Sequence, residues 1–172
     1  MSTAVINAPA EPALPMPARA IAHRTRGTAH GPITRLVSPG DLGQLIKPFV
    51  FLDHFVADRA ADLSGFGMHP HSGIATLTYP MQGDSSYEDT TGQSGVLRAR
   101  GLEWMRAGNG VWHTGGPIEG SPLRGFQLWV ALPAATENAP AQSQYLAPEE
   151  IPEEGPVRVL LGRYGQARSA IT

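Results

Sequence analysis

Cysteine is absent from this 172-residue sequence, and lysine occurs only once, at Lys47. The absence of cysteine excludes disulfide bonds, iron–sulfur clusters, cysteine-ligated zinc and thiol nucleophiles. Charged residues make up only 16% of the chain, and its formal net charge is −2. Because no surplus of basic residues is available to neutralise phosphates, the composition argues against nucleic acid as the principal ligand.

Long apolar runs are also missing. No stretch approaches the ~18 apolar residues that a membrane-spanning helix requires. The first 20 residues have neither a positively charged start nor an unbroken apolar segment, so they do not resemble a signal peptide. We therefore expect a cytoplasmic protein that does not bind a membrane.

Glycine and proline are abundant, with 20 and 16 residues respectively. Near the N-terminus proline recurs among alanines, at Pro9, Pro12, Pro15 and Pro17. Because proline removes backbone donors and cannot continue a helix or a ladder, residues 1–22 are predicted to form a disordered or extended arm. An arm that packs on a partner subunit is the alternative. Residues 23–172 have the length of a single domain with one core.

The chain after the arm is a series of short apolar segments separated by glycine, proline and other turn residues. The predicted strands are Ile33–Val37, Phe49–Phe55, Ile74–Met81, Ser85–Thr90, Val96–Arg98, Leu102–Arg106, Val111–His113, Gly125–Leu132 and Val157–Leu161. No stretch from Ile33 to Leu132 keeps a helical period for ten residues without glycine or proline. Strands at spacings near ten residues predict an all-β protein built as an antiparallel sandwich or barrel.

Two of the six histidines form the motif His69-Pro70-His71. In a strand, residues i and i+2 face the same side, so both imidazoles can reach one divalent ion. A pair of surface imidazoles is the alternative. His113 lies on a predicted strand after the turn Gly108-Asn109-Gly110, and a barrel could bring it to the same cavity. A buried histidine that hydrogen bonds to a backbone carbonyl is the alternative there.

Several longer motifs resemble the pirin family. They are PFVFLDHF from Pro48, HPHSGI from His69, GLEWMRAGNGVWH from Gly101 and QLWVALP from Gln127. The resemblance extends from about Ile33 to Leu161 and implies a cupin-type jelly-roll β-barrel that holds one metal ion. It implies His69, His71 and His113 as the metal ligands. Fe(II) is the metal we expect, with Zn, Ni, Cu or Mn as alternatives, because three imidazoles suit all of them.

The sequence departs from the pirin pattern at two carboxylates. The family glutamate two residues after the last ligand histidine is Gly115 here, and a second glutamate, four residues after the HxH motif, is Ala75. Glu119 is the candidate substitute ligand, although Pro117 stiffens the path to it. Without these carboxylates, a three-histidine site should favour an anionic oxygen ligand, and the obvious general base is missing.

Four other residues are candidates for supporting roles. His54 is expected to be a satisfied structural histidine or to support a ligand histidine, rather than to bind the metal itself. Core packing is expected for Trp104, Met105 and Trp112. A place in the wall of a pocket is the alternative.

The resemblance implies a quercetin 2,3-dioxygenase-type oxygenase that acts on a flavonol or another enolisable aromatic compound. A non-enzymatic, metal-dependent module that binds a protein partner is the alternative, and a degenerate cupin with an empty cavity is a third. The chain ends about where a second cupin domain would begin in a full-length pirin. A lone cupin domain leaves an apolar face to cover, so a homodimer is a further expectation.

Overall fold

The computed structural model describes residues 20–58, 67–118 and 121–171, and most of these lie in short β-strands. The strands are β1 (Thr28–His30), β2 (Ile33–Val37), β3 (Phe49–Ala57), β4 (His69–His71), β5 (Ile74–Gln82), β6 (Ser85–Asp89), β7 (Ser94–Leu97), β8 (Leu102–Arg106), β9 (Val111–Pro117), β10 (Leu123–Ala131), β11 (Gln142–Leu146), β12 (Glu153–Glu154), β13 (Val157–Arg158), β14 (Arg163–Tyr164) and β15 (Ala167–Arg168). The helices are short, α1 at Leu42–Leu45 and a 3-10 turn at Pro148–Glu150.

Two antiparallel sheets make up the body of the fold. Seven strands form one sheet in the order β1-β2-β3-β10-β5-β8-β11, and four form the other in the order β4-β9-β6-β7. One large cavity takes its lining from both sheets, so it lies between them. The predicted all-β class is confirmed, and the architecture is that of a cupin-type jelly-roll barrel.

The alternation of side chains explains which residues reach the interior. In β3, Phe51, Asp53, Phe55 and Ala57 are buried, and the residues between them are less so. β10 lies between β3 and β5 and pairs with both, which fixes the register of the sheet at its centre. Period-two burial of this kind is typical of strands with one face on a core.

The predicted strand bounds hold for some strands and differ at the ends of others. β2 and β8 have the predicted limits, whereas β3, β5 and β9 extend beyond the predictions. The predicted strand Val157–Leu161 is wrong beyond Arg158, because the chain turns there. Val159 is buried, and its N–H donates to the carbonyl of Pro152.

The predicted N-terminal arm falls mostly outside the described residues, since only residues 20–22 of it are included. Those three residues are exposed and have no regular secondary structure. Over the ranges that the structure describes, none of the helices has the length and apolar character needed to cross a membrane.

Candidate metal centre

Two neighbouring strands of the four-stranded sheet carry the three histidines. β4 consists of His69, Pro70 and His71 alone, and it pairs antiparallel with β9. In this register His69 lies directly opposite His113. Because residues i and i+2 of β4 share a face, His71 reaches the same side as His69.

The three imidazoles converge on one point. Nε2 of His113 lies 3.0 Å from Nε2 of His69 and 3.1 Å from Nε2 of His71. One ring nitrogen from each histidine lies within 4.8 Å of the other two. Nitrogens that bind one ion at about 2.0–2.1 Å lie about 3 Å apart, so this spacing fits a shared cation.

The outer ring nitrogens show which inner nitrogens carry a lone pair. Nδ1 of His69 lies 2.8 Å from the carbonyl oxygen of Gly67, which can only accept, so Nδ1 carries the proton. Nδ1 of His113 lies 3.4 Å from Oε1 of Glu103, and a carboxylate beside it favours the same tautomer. In these tautomers the Nε2 atoms of His69 and His113, 3.0 Å apart, both carry lone pairs. A hydrogen bond cannot form between two lone pairs, whereas a cation binds both.

His71 completes the set as a neutral ring. Burial lowers the pKa of His71 to about 4, and the rings of His113 and His69 add to the shift. The side chain is therefore uncharged at neutral pH. Its Nε2 can then offer a lone pair to a cation, as a metal ligand must.

The histidines lie in the wall of a cavity of about 440 Å³. The rings of Phe51 and Trp129 stack there with centroids 3.9 Å apart, and Trp129 meets the ring of His71 edge-on at 5.1 Å. Nε1 of Trp129 donates to Oε1 of Gln127 at 3.0 Å, and Gln127 in turn donates to Thr78 at 3.4 Å. The cavity thus combines an aromatic wall beside the histidines with a short row of polar groups.

Two carboxylates line the same cavity. Asp53 accepts from Nε and Nη2 of Arg35 at 3.0 and 3.1 Å, and this guanidinium lies over the ring of Phe51, 4.3 Å from its centroid. Hydrogen bonding to Asp53 raises the pKa of Arg35. Glu103 projects from β8 and, among the residues with described positions, pairs with no lysine or arginine.

Glu103 is joined to a second buried acid through a tyrosine. The hydroxyl of Tyr145 donates to Oδ2 of Asp89 at 2.8 Å and lies 3.4 Å from Oε1 of Glu103. Asp89 also accepts from the backbone N–H and the hydroxyl of Thr91. Burial raises the pKa of Tyr145, and the charge of Glu103 adds to this, so the phenol keeps its proton.

Of the two positions where the resemblance expects a carboxylate, only Gly115 faces the histidines. Gly115 follows His113 by two residues in β9, so a side chain there would project to the same face. A Cβ at this position would lie 3.1 Å from the carbonyl oxygen of Ser86. Ala75 precedes Thr76 in β5, on the face opposite to the cavity-lining Thr78. A carboxylate at 75 would therefore point away from the cluster.

The remaining candidates lie away from the site. His54 is on the face of β3 opposite to the cavity-lining Phe51, Asp53 and Phe55, and its ring contacts Phe126. The expectation that it supports a ligand histidine is not met. Glu119 lies outside the described residues.

Trp104 and Met105 pack in the core as expected, and none of the three aromatic or sulfur-containing candidates lines the cavity beside the histidines. Trp104 packs on the core around Leu102, and Met105 is fully buried beside Ala107. Trp112 precedes the inward His113 in β9, so it points outward and is 51% exposed. The tryptophan in the cavity wall is Trp129 instead.

Sequence reasoning also missed Glu103 and Tyr145. The signal for Glu103 was available, because an acidic residue inside an otherwise apolar strand requires a partner when the strand is buried. Tyr145 lies on β11, a mostly polar strand at the edge of the larger sheet that the apolar pattern did not reveal.

Comparisons with known proteins show which family the chain resembles. A Vibrio cholerae protein described as a candidate quercetin 2,3-dioxygenase is 44% identical over 123 residues, which are 67% of this chain and 44% of that protein. Human pirin is 38% identical over 109 residues, which are 64% of this chain and 37% of the human protein. The chain therefore spans less than half the length of both relatives.

The solved structure of a quercetin 2,3-dioxygenase from Acinetobacter baumannii has the same fold. It matches with a TM-score of 0.71 at 30% identity, over 81% of this chain and 54% of that one. The family model for pirin matches residues 32–130, more than half of the chain. The motifs, the barrel and these matches together place the chain in the pirin family, to which it belongs.

Proposed function

We propose that His69, His71 and His113 bind one divalent metal ion and that the cavity beside them binds a planar hydroxylated aromatic substrate for oxygenation. The observation that carries the proposal is that three imidazole Nε2 atoms meet in the wall of a cavity. The neighbours of His69 and His113 favour the tautomer in which Nε2 carries a lone pair. The names of the relatives, pirin and quercetin 2,3-dioxygenase, support the same assignment.

A bound divalent ion would supply Lewis acidity, which lowers the pKa of a substrate hydroxyl, and open positions for oxygen ligands. The chain's part is to supply three uncharged rings and to shield the site from water. Because all three protein ligands would be neutral, the site favours an anionic oxygen such as a phenolate or an enolate.

The cavity wall supports an aromatic substrate. Trp129 lies between the ring of His71 and the ring of Phe51, so a planar ligand near the histidines meets an aromatic surface. The nearby amide of Gln127 and hydroxyl of Thr78 offer hydrogen bonds that can orient its oxygens. A volume of about 440 Å³ is within the range of small-molecule sites. A flavonol such as quercetin is the substrate class we propose.

Two measurements test this function. Protein purified without added metal and without a chelating tag is analysed for its elements, and we expect iron near one ion per chain. The iron-loaded protein is then given a panel of flavonols in an oxygen electrode, and we expect oxygen uptake with at least one of them. Iron-loaded protein that consumes no oxygen across the panel would overturn the oxygenase proposal.

A second candidate is a metal-dependent binding module without turnover. The observation that favours it is Gly115, because no carboxylate projects from β9 beside His113 to act as a general base. This module would retain its metal, show no oxygen uptake and bind a protein partner only when metal is present. The oxygen electrode therefore separates the two candidates.

A further inference from the structure

A buried carboxylate lies directly behind the histidine cluster. Glu103 is 5% exposed and His113 is 6% exposed, and Oε1 of Glu103 lies 3.4 Å from Nδ1 of His113. The opposite nitrogen of the same ring, Nε2, faces His69 and His71. The ring of His113 therefore lies between the carboxylate of Glu103 and the proposed ion site.

The negative charge of Glu103 has no cationic side chain to balance it in the part of the chain that the structure describes. The neighbouring hydroxyl of Tyr145 has a single proton, and its 2.8 Å contact to Asp89 is much shorter than its 3.4 Å contact to Glu103. Removing an ionised carboxylate from water is costly unless a charge partner compensates it. The described residues do not supply that partner.

A cation held by the three histidines would supply it through one ring. Histidines that bind metals commonly donate their other N–H to a carboxylate, which fixes the tautomer and increases the basicity of the ligand nitrogen. The 3.4 Å contact between Oε1 of Glu103 and Nδ1 of His113 places a carboxylate beside the corresponding nitrogen of His113. Among the described residues, Glu103 is the acidic residue whose carboxylate lies within 4.0 Å of a ring nitrogen of the three histidines.

We propose that Glu103 is the positioning residue of the metal centre: it holds the proton of His113 on Nδ1 and supplies the negative charge that an otherwise neutral three-histidine site lacks. The inference rests on the proposed metal site and deepens it. Glu103 acts through His113 and does not itself contact the ion, so its effect is on metal affinity and on the tautomer of the ring.

The first test compares the full-length chain with its Glu103→Gln variant, using Co(II) as the probe because its visible absorption reports the coordination. Gln has the shape of Glu without its charge. We expect the Kd for Co(II), measured against a competing chelator, to rise by about 10- to 100-fold. The matched control is Glu88→Gln on β6, which removes one exposed acidic side chain and should leave the Kd within about threefold of the parent's.

The second test needs neither a variant nor a metal. Nitrogen-15 NMR of the histidine rings in metal-free protein reports which nitrogen is protonated, and we expect the proton of His113 on Nδ1. A merely structural role for Glu103 would alter the unfolding midpoint without fixing this tautomer or changing the Co(II) spectrum. A His113 ring protonated on Nε2 alone would overturn the proposal even if the Glu103→Gln variant did not fold.

The outcomes also separate this inference from the proposed function. If the parent chain binds Co(II) and folded Glu103→Gln binds it equally well, the role of Glu103 is refuted and the metal site stands. If the parent chain binds no Co(II), both proposals fail. A rise in the Kd of Glu103→Gln, with Glu88→Gln unchanged, supports both.

Discussion

Asp53 and Glu103 line the same cavity and are buried to a similar degree, at 7% and 5% exposure, but they differ in what neutralises them. Asp53 accepts two hydrogen bonds from one guanidinium, that of Arg35. Glu103 faces an imidazole nitrogen and shares a tyrosine hydroxyl with a second acid. Burial alone would assign both carboxylates the same role.

The difference in partners assigns them different roles. A bidentate pair with arginine settles the charge of Asp53 within the chain and ties β2 to β3, so its role is structural. No described lysine or arginine does the same for Glu103, whose charge a cation in the histidine cluster would balance. One end of the cavity is therefore complete in itself, and the other is complete only with its metal.

The largest effect, on metal content, is expected when the histidine cluster loses one of its three proposed ligands. His113→Ala removes one of three ligands and the ring that faces Glu103, so we expect the metal content of purified protein to fall to background. Elemental analysis of protein prepared without a chelating tag measures this. The matched control is His54→Ala, because His54 lies on the outer face of β3. Metal retained in His113→Ala would contradict the site.

A carboxylate placed beside the histidines should make Glu103 less important. Gly115→Glu adds an acidic side chain on the face that His113 shares, so we expect Co(II) affinity to rise at least about tenfold, or about 1.4 kcal/mol. The Cβ needs a small shift of the Ser86 carbonyl, which lies 3.1 Å away. In this background, Glu103→Gln should weaken binding less than it does in the parent.

The matched control for this change is Gly116→Glu. Gly116 is the next residue of β9 and its backbone also lines the cavity, but strand alternation directs an added side chain to the opposite face, where a Cβ meets nothing within 4 Å. Its Co(II) affinity should equal the parent's. Equal affinities for Gly115→Glu and Gly116→Glu would show that position 115 does not face the metal.

The free energy of unfolding of metal-free protein should distinguish the roles of Asp53 and Glu103. Asp53→Asn leaves the guanidinium of Arg35 without its charge partner, and we expect the free energy of unfolding to fall by about 1–2 kcal/mol, because Arg35 is partly exposed. Glu103→Gln removes a buried charge that no described lysine or arginine balances in metal-free protein, so it should be neutral or stabilising by up to about 1 kcal/mol. Urea unfolding of chelator-treated protein measures both.

A surface ion pair provides the control for Asp53→Asn. Asp58 pairs with Arg124 at 3.0 Å, and both side chains are well exposed. Asp58→Asn should therefore destabilise the protein less than Asp53→Asn does. A Glu103→Gln variant that loses as much stability as Asp53→Asn would mean that Glu103, too, is neutralised within the chain.

The sequence predicted the fold and the histidines because both depend on local patterns. Period-two apolar segments indicated the strands, and the HxH spacing requires only that two residues share a strand face. The pairing of His69 with His113 depends on the register of β4 against β9, and there the family resemblance supplied what spacing could not.

The supporting residues were harder to predict because they depend on which face of each strand is inward. If His113 is inward, alternation alone requires Trp112 to be outward, so that error could have been avoided from the sequence. Glu103 and Tyr145 come together only because β11 pairs with β8, with Tyr145 opposite Glu103. No pattern within either segment specifies that pairing, so their contact could not be predicted.

The smallest effect on metal binding is expected at Tyr145, and it tests whether Glu103 depends on His113 or on the tyrosine. Tyr145→Phe removes the hydroxyl that donates a 2.8 Å hydrogen bond to Asp89, so the free energy of unfolding should fall by about 1–2 kcal/mol. Since the single proton of this hydroxyl is donated to Asp89 rather than to Glu103, the Kd for Co(II) should change by less than about threefold. Tyr164→Phe, at an exposed position, is the matched control and should alter neither quantity. A tenfold weaker Kd in Tyr145→Phe would instead show that the tyrosine, rather than the imidazole, holds Glu103 in place.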